Sequence, residues 1–300
     1  MLAAPETVSR PSTKTVVVPT TEFDLGTPEW VLDWLQEQGQ PFPTEWFRDE
    51  TPQTRVLVPS FAIDRYQVTV AQYAEFAAET GYRTVAEQRG WSLVYGSDYW
   101  EEADGASWRR PAGSATDYEA EADHPVVHIA AEDAEAYAAW AGKRLPTEAE
   151  WELAARGPGY RLWPWGDKWH CRRANTMEFD LGDEVRTASD WRAWWKGLTR
   201  DTGPIPLTTP VDWFGSMGDS PFAVSGMAGN VYEWTASTSR LYGPSPDCDA
   251  SLLSVMGRYR VVRGGSWMSL RFQARTSERL HGDPSGWACF ATGFRCAGDP

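Results

Sequence analysis

Apolar and polar positions alternate in a strand-like run after Arg55, through Val56-Leu57-Val58-Pro59-Ser60-Phe61-Ala62-Ile63 to Asp64. Thr69 then stands as a helix cap, and Tyr73, Phe76 and Ala77 fall at the i, i+3, i+4 spacing of one helical face that ends near Gly81. A second helix is expected from Ala131 to Ala141, with Ala134, Ala138 and Trp140 among its packing residues. Thr147-Glu148-Ala149-Glu150 opens a third, with Thr147 as cap, Glu150 at the capping-box position and Gly157 as the stop. Upstream, Thr27 as cap and Pro28 at the first helical position start a short helix through Gln38, which Gly39 and Pro41 end. Residues 1–20 are rich in Pro, Ser and Thr, so residues 1–54 read as an N-terminal arm with a short helix, followed by one domain over 55–300. Beyond Gly157 helical periodicity all but ceases. Short aromatic segments punctuated by Gly, Pro and Asp predict loops and short strands there, and no internal repeat is evident.

Composition narrows the class. A chain of 300 residues with 42% apolar content and 13% aromatics can bury one large core or two modest ones. Its most apolar windows, such as Leu252–Val255, fall far short of the roughly 20 residues that a membrane span needs, so no membrane insertion is expected. No positive cluster followed by an apolar run marks a secretory signal at the N-terminus, and the compartment stays open. With 28 basic against 42 acidic side chains the net charge is −14, which repels nucleic-acid phosphates. Nucleic acid is therefore not an expected partner.

Cys171, Cys248, Cys289 and Cys296 contain no CxxC pair, so neither a zinc ribbon nor a disulfide framework is signalled. His124 and His128 flank the β-like Pro125-Val126-Val127. Either a helix or a strand would put both rings on one side, but structural histidines are the expected outcome rather than a metal pair.

A run of motifs supplies more. Phe61-Ala62-Ile63-Asp64-Arg65-Tyr66-Gln67-Val68-Thr69 is followed by His124-Pro125-Val126-Val127, then by Trp140-Ala141-Gly142-Lys143-Arg144-Leu145-Pro146-Thr147-Glu148-Ala149-Glu150-Trp151. Trp163-Pro164-Trp165-Gly166-Asp167, Gly226-Met227-Ala228-Gly229-Asn230-Val231-Tyr232-Glu233-Trp234, Arg263-Gly264-Gly265-Ser266-Trp267 and Gly293-Phe294-Arg295 come next. In kind and order these resemble the formylglycine-generating enzyme family. The resemblance implies that family's irregular, loop-rich α+β fold, related to that of C-type lectins. Physically the motifs read as scaffold: Pro and Gly fix turns, indoles supply apolar area, and paired glycines let backbones approach closely.

The family's activity does not carry over with the motifs. Formylglycine-generating enzymes oxidise a substrate cysteine with oxygen and copper held by two cysteines just after the Gly-Gly-Ser-Tyr/Trp motif, thiolates being soft ligands suited to Cu(I). Here Met268-Ser269-Leu270-Arg271-Phe272-Gln273-Ala274-Arg275-Thr276-Ser277-Glu278-Arg279 contains no cysteine. The related iron-dependent sulfoxide synthases use a His-x-x-x-Glu-x-His pattern, also missing. A calcium site of the family maps onto Gly229, Val231 and Glu233, with Gly226 where a further side-chain oxygen would be needed. Calcium is thus the one cofactor that the resemblance allows, with a hydrogen-bonded Glu233 as the plainer expectation.

The C-terminal stretch resembles instead the variable region of proteins diversified by retroelements. Ala274, Arg275, Arg279, Pro284 and Gly293-Phe294-Arg295 would be its retained positions and 268–291 its candidate variable region. On that reading Met268, Ser269, Leu270, Phe272, Gln273, Glu278, Leu280, His281, Asp283, Trp287, Cys289 and Phe290 form an exposed ligand-binding surface. Arg275, Arg279 and Arg295 would tie loops together through forked donors. The expected function is a non-catalytic binding protein for a protein or other macromolecular ligand. A metal-dependent oxidase or sulfoxide-synthase-like enzyme and a fixed-partner interaction domain are the alternatives.

Overall fold

The computed structural model describes residues 13–96, 100–182, 184–185, 187–201, 206–244 and 248–300, with residues 188 and 199–201 described by backbone alone. In chain order its elements begin with β1 (Thr15–Val18), β2 (Thr21–Leu25), α1 (Glu29–Glu37), a 3-10 helix (Thr44–Glu50), β3 (Thr54–Val58) and β4 (Phe61–Asp64). Then come α2 (Val70–Thr80), α3 (Val85–Arg89), β5 (Trp91–Tyr95), β6 (Trp100–Asp104), α4 (Ala131–Trp140), α5 (Glu148–Arg156), α6 (Met177–Leu181) and α7 (Ala188–Asp201). The C-terminal part holds β7 (Tyr232–Thr238), α8 (Ala250–Val255), β8 (Arg260–Arg263), β9 (Arg279–Gly282), β10 (Thr292–Gly293) and β11 (Ala297–Gly298).

Small sheets and short helices joined by long loops make an irregular α+β body. β1, β4 and β11 form one antiparallel sheet, bringing Thr15 opposite Asp64 and Ala297 opposite Ile63. A four-stranded sheet runs β10-β7-β8-β9, with β10 parallel to β7 and the rest antiparallel. β2 pairs with β3, and β5 with β6. Among the described residues no helix is long and apolar enough to cross a membrane.

The capping signals of α2 and α5 are realised as reciprocal hydrogen bonds, Thr69 with Gln72 and Thr147 with Glu150. Thr27 does not cap α1. The N-cap is Pro28, and the buried Thr27 hydroxyl instead donates to Glu50 and lies 2.7 Å from Ser277 Oγ.

Two expectations are corrected. The segment read as an arm is woven into the body from Thr15 onward, as the edge strand β1, the β2–β3 pair and the buried Val31, Leu32, Leu35 and Phe47. The second half also carries helices, α7 the longest among them. Its Trp191, Trp194, Trp195 and Leu198 are spaced i, i+3, i+4, i+7 and pack on the core, a helical stripe hidden in the sequence by the density of aromatics around it.

A buried layer of charge links these parts. β8 and β9 place Arg263 directly opposite Arg279, an arrangement that like charges disfavour. Helix α5 answers it with Glu148 and Glu152, one turn apart on the same face. Glu148 lies 2.7 Å from Arg279 Nε and 3.7 Å from Arg263, while Glu152 pairs with Arg263 and, at 2.8 Å, with Arg156. From the N-terminal segment, Glu50 takes both guanidinium nitrogens of Arg275 at 2.8 Å, and Asp49 lies 3.2 Å from Arg279.

Candidate functional site

The loop after β8 builds the site. Gly264 and Gly265 have φ of +96° and +71°, and a Cβ at Gly265 would lie 2.8 Å from the Gln273 carbonyl, so only glycine lets the following loop fold back on itself. Ser266 N–H donates to Ser269 Oγ, and Ser269 N–H donates to the Ser266 carbonyl. The coil sends Trp267, Leu270 and Phe272 into the core and leaves Met268, Ser269 and Gln273 facing a cavity of about 450 Å³.

Aromatic rings wall that cavity. Phe42, Trp46 and Phe47 come from the N-terminal segment, Trp100 from β6, and Trp191 and Trp195 from α7. Phe42 stacks on Trp46 with centroids 5.7 Å apart, and Trp191 on Trp195 at 5.6 Å. Ser251 and Leu252 of α8 border the cavity, and β9 supplies Arg279, Leu280 and His281 behind Glu278. An apolar enclosure with few convergent polar groups is the usual build of a ligand site.

The polar groups divide into satisfied and unsatisfied. Ser269 Oγ donates to the Tyr232 hydroxyl at 3.1 Å. His281 Nε2 is 2.8 Å from Asp49 Oδ2 and its Nδ1 is 2.7 Å from Ser239 Oγ. That Ser239–His281–Asp49 chain has the connectivity of a hydrolytic triad, but Ser239 is fully buried and does not line the cavity, so its hydroxyl meets no substrate. Glu278 differs. It is buried, lines the cavity, and its Oε2 has no hydrogen-bond partner among the described residues. Burial, assisted by Glu50 and Asp49, pushes its carboxyl well above the usual carboxylate range against the pull of Arg275 and Arg263.

The twelve residues expected to form an exposed surface are not equivalent. Leu270, Phe272, Cys289 and Phe290 are fully buried, and Ser269 and Glu278 nearly so. The exposed-surface expectation is corrected for these six, because apolar side chains in a Gly- and Pro-punctuated loop can serve as core when the loop is wrapped by other elements. Met268, Ser269, Gln273, Glu278, Leu280 and His281 meet in the cavity. Leu280 and His281 also face an adjoining groove shared with Asp283 and Trp287, where Trp287 stacks on Trp100 at 5.8 Å and packs edge-on against Trp234 at 5.5 Å. The rings from Phe42, Trp46, Trp100, Trp191 and Trp195 were missed by sequence reasoning. Only the α7 stripe offered a signal, since the others sit in segments without periodicity.

Outside the cavity, Glu121, Asp123 and His124 bring candidate ligand atoms within 4.8 Å of one another, whereas the donor sets that the motifs pointed to suit a metal poorly. Glu233 receives Arg295 Nε and Nη2 at 2.7 Å, the Trp151 indole at 2.8 Å and the Gln67 amide at 3.0 Å. These donors match the hydrogen-bonded Glu233 that was the plainer expectation, and a dication at Gly229, Val231 and Glu233 would have to compete with the Arg295 guanidinium for that carboxylate. No cysteine lines the cavity. Cys289 is buried against Thr292, and burial pushes its thiol up to about 11, so it fits no thiolate copper site. His128 is buried between Ser92 Oγ at 2.8 Å and the Pro111 carbonyl at 2.9 Å, and burial drives its imidazole down to about 3. It is a structural histidine, apart from His124, whose Nδ1 meets Thr208.

A model described as the sulfatase-modifying factor enzyme 1-like domain matches residues 2–300. The chain is 34% identical over 292 residues to the formylglycine-generating enzyme of Thermomonospora curvata, covering 88% of this chain and 89% of that one. It is 35% identical over 274 residues to the inactive C-alpha-formylglycine-generating enzyme 2 of Bos taurus, covering 83% and 80%. Among solved structures it resembles PvdO from Pseudomonas aeruginosa, with a TM-score of 0.61, 26% identity and coverage of 94% and 93%.

Proposed function

The chain belongs to the formylglycine-generating enzyme family, and we propose that it is a ligand-binding member of it that does not perform copper-dependent cysteine oxidation. The observation that carries this reading is the cavity behind the Gly-Gly-Ser-Trp loop: it is walled by aromatic rings and has Ser269, hydrogen-bonded to Tyr232, in the stretch where the family's copper enzymes place thiols. Identity alone does not decide the matter, since relatives named as generating enzymes and as inactive are alike at 34% and 35%. Residues do. Copper-dependent oxidation of a thiol in this family uses a soft ligand pair, and the four cysteines of this chain are not arranged to give one beside the cavity.

A cavity of about 450 Å³ has the size for one group, either a small molecule or a side chain that a protein partner inserts. Trp46 is 49% exposed and stands at the rim, where an entering group would meet it first. Two measurements test the reading. Incubation with copper, oxygen and a cysteine-containing sulfatase-type peptide should give no aldehyde by mass spectrometry, and an aldehyde above the metal-free control would return the oxidase reading. A small-molecule panel followed by tryptophan emission should yield binders whose affinity falls in Trp191→Ala. Binders indifferent to that change would place the site elsewhere.

A further inference from the structure

We propose that the group this cavity takes is an organic cation, a quaternary or alkylated ammonium, with Glu278 as its counter-charge. The inference rests on the cavity being a ligand site, as argued above. The first support is the wall. Trp46, Trp100, Trp191 and Trp195 border the cavity, and an indole attracts a desolvated cation through its negative quadrupole more than any other side-chain ring does.

Charge pairing provides the second support. The buried layer holds Arg156, Arg263, Arg275 and Arg279, and Glu152, Glu50, Glu148 and Asp49 already answer them. Glu278 is the carboxyl left over: the residue is buried and borders the cavity, and its Oε2, closed off from solvent, has no hydrogen-bond partner among the described residues. A buried carboxyl without a partner is costly, and an arriving cation would supply the partner. An anionic ligand would meet the opposite situation, since Arg279, the arginine bordering the cavity, has a fully buried side chain held by Glu148 and Asp49. The net charge of −14 adds long-range attraction for cations.

The same layer predicts a proton. Glu278 faces Glu50 and Asp49, which raise its carboxyl's proton affinity, and Arg275 and Arg263, which lower it, while Arg279 and the Asp49-bound His281 complete its charged surroundings. Burial dominates, so with the cavity empty Glu278 keeps its proton to higher pH than an ordinary carboxyl does, and cation binding favours release of that proton to solvent. Affinity for the cation therefore rises with pH up to the carboxyl's elevated pKa.

The test compares choline with its uncharged isostere 3,3-dimethyl-1-butanol by isothermal titration calorimetry, on the full chain, in two buffers of different ionisation enthalpy. Choline should bind about tenfold more tightly than the alcohol and show proton release. Glu278→Gln should bring choline down to the affinity of the alcohol and abolish the release, and Trp191→Ala should weaken both ligands. Equal affinities in the parent protein would overturn the cation assignment and leave the ligand-binding reading standing. Absence of binding by either probe at millimolar concentration would also overturn the cation assignment, whereas the ligand-binding reading is judged by the panel. Choline binding unchanged in both variants would place the cation outside this cavity.

Discussion

Leu270 and Met268 stand two residues apart in one loop, yet they answer to different constraints. Leu270 and Phe272 are fully enclosed by core side chains, whereas Met268 is partly buried and faces the cavity. Truncation of an enclosed side chain loses transfer free energy and leaves a void, so Leu270→Ala and Phe272→Ala should each cost about 3–5 kcal/mol in urea denaturation. Met268→Ala should cost far less, and equal losses at all three would show that the cavity is packed shut in solution. Glu278 carries a pH signature of its own. Its folded pKa lies above the usual 4.5, so its neutral form adds stability below about pH 4.5, and that stability is lost as pH rises toward the folded value. Glu278→Gln, neutral throughout, should exceed the parent in stability by a margin that grows from pH 4.5 upward. A margin independent of pH would mean that the carboxyl is paired.

Helix α5 shows how an element can serve two faces. Its capping box closes the first turn, since Thr147 Oγ1 accepts from Glu150 N–H while the Glu150 carboxylate accepts from Thr147 N–H at 2.8 Å. Burial opposes the charge on Glu150, but Arg144 and the backbone donor outweigh it and hold the carboxyl below its ordinary value. The stabilisation is therefore complete above about pH 4.5 and disappears as pH falls through the lowered folded value. Thr147→Ala should cost about 1 kcal/mol. Glu150→Gln should lower the melting midpoint at neutral pH and match the parent in strong acid; a deficit that persists in acid would assign the effect to packing. One turn further along, Glu152 and Arg156 are fully buried and support the arginines of the central sheet.

Across the whole molecule, the N-terminal segment is fastened to the C-terminal loop by charge. Arg275 and Glu50 lie 225 residues apart in sequence and meet through two hydrogen bonds of 2.8 Å in the interior. Such a pair contributes little relative to an apolar substitute, but removing one partner strands the other. Arg275→Met should cost about 3–5 kcal/mol in urea denaturation, since it leaves Glu50 without its bidentate partner and facing Glu278. A loss below about 1 kcal/mol would mean that the segment around Glu50 moves away and rehydrates. Because Phe42, Trp46 and Phe47 lie just before Glu50, the same fastening positions one wall of the cavity, and Arg275→Met should weaken ligand binding as well.

By itself the sequence determined the fold family, the helix α4 and the capped helices α2 and α5, the scaffold role of the Gly-Gly-Ser-Trp loop, and the missing thiol pair. These rest on local chemistry: a cap, a turn glycine or an absent sulfur is decided within a few residues. It also indicated that Arg275, Arg279 and Arg295 bind carboxylates or carbonyls, because guanidinium forks need such partners wherever they lie. Only the tertiary structure decided which carboxylates these are, and that Asp49 and Glu50, in the supposed arm, are among them. It alone turned Leu270, Phe272, Cys289 and Phe290 inward while leaving Met268, Gln273 and Glu278 to a cavity whose walls come from residues 42–47, 100 and 191–195. Burial in a loop-rich fold follows from which distant segments wrap the loop. That is a long-range property, and neither the period-2 nor the period-3.6 pattern of a strand or helix is present in such a loop to record it.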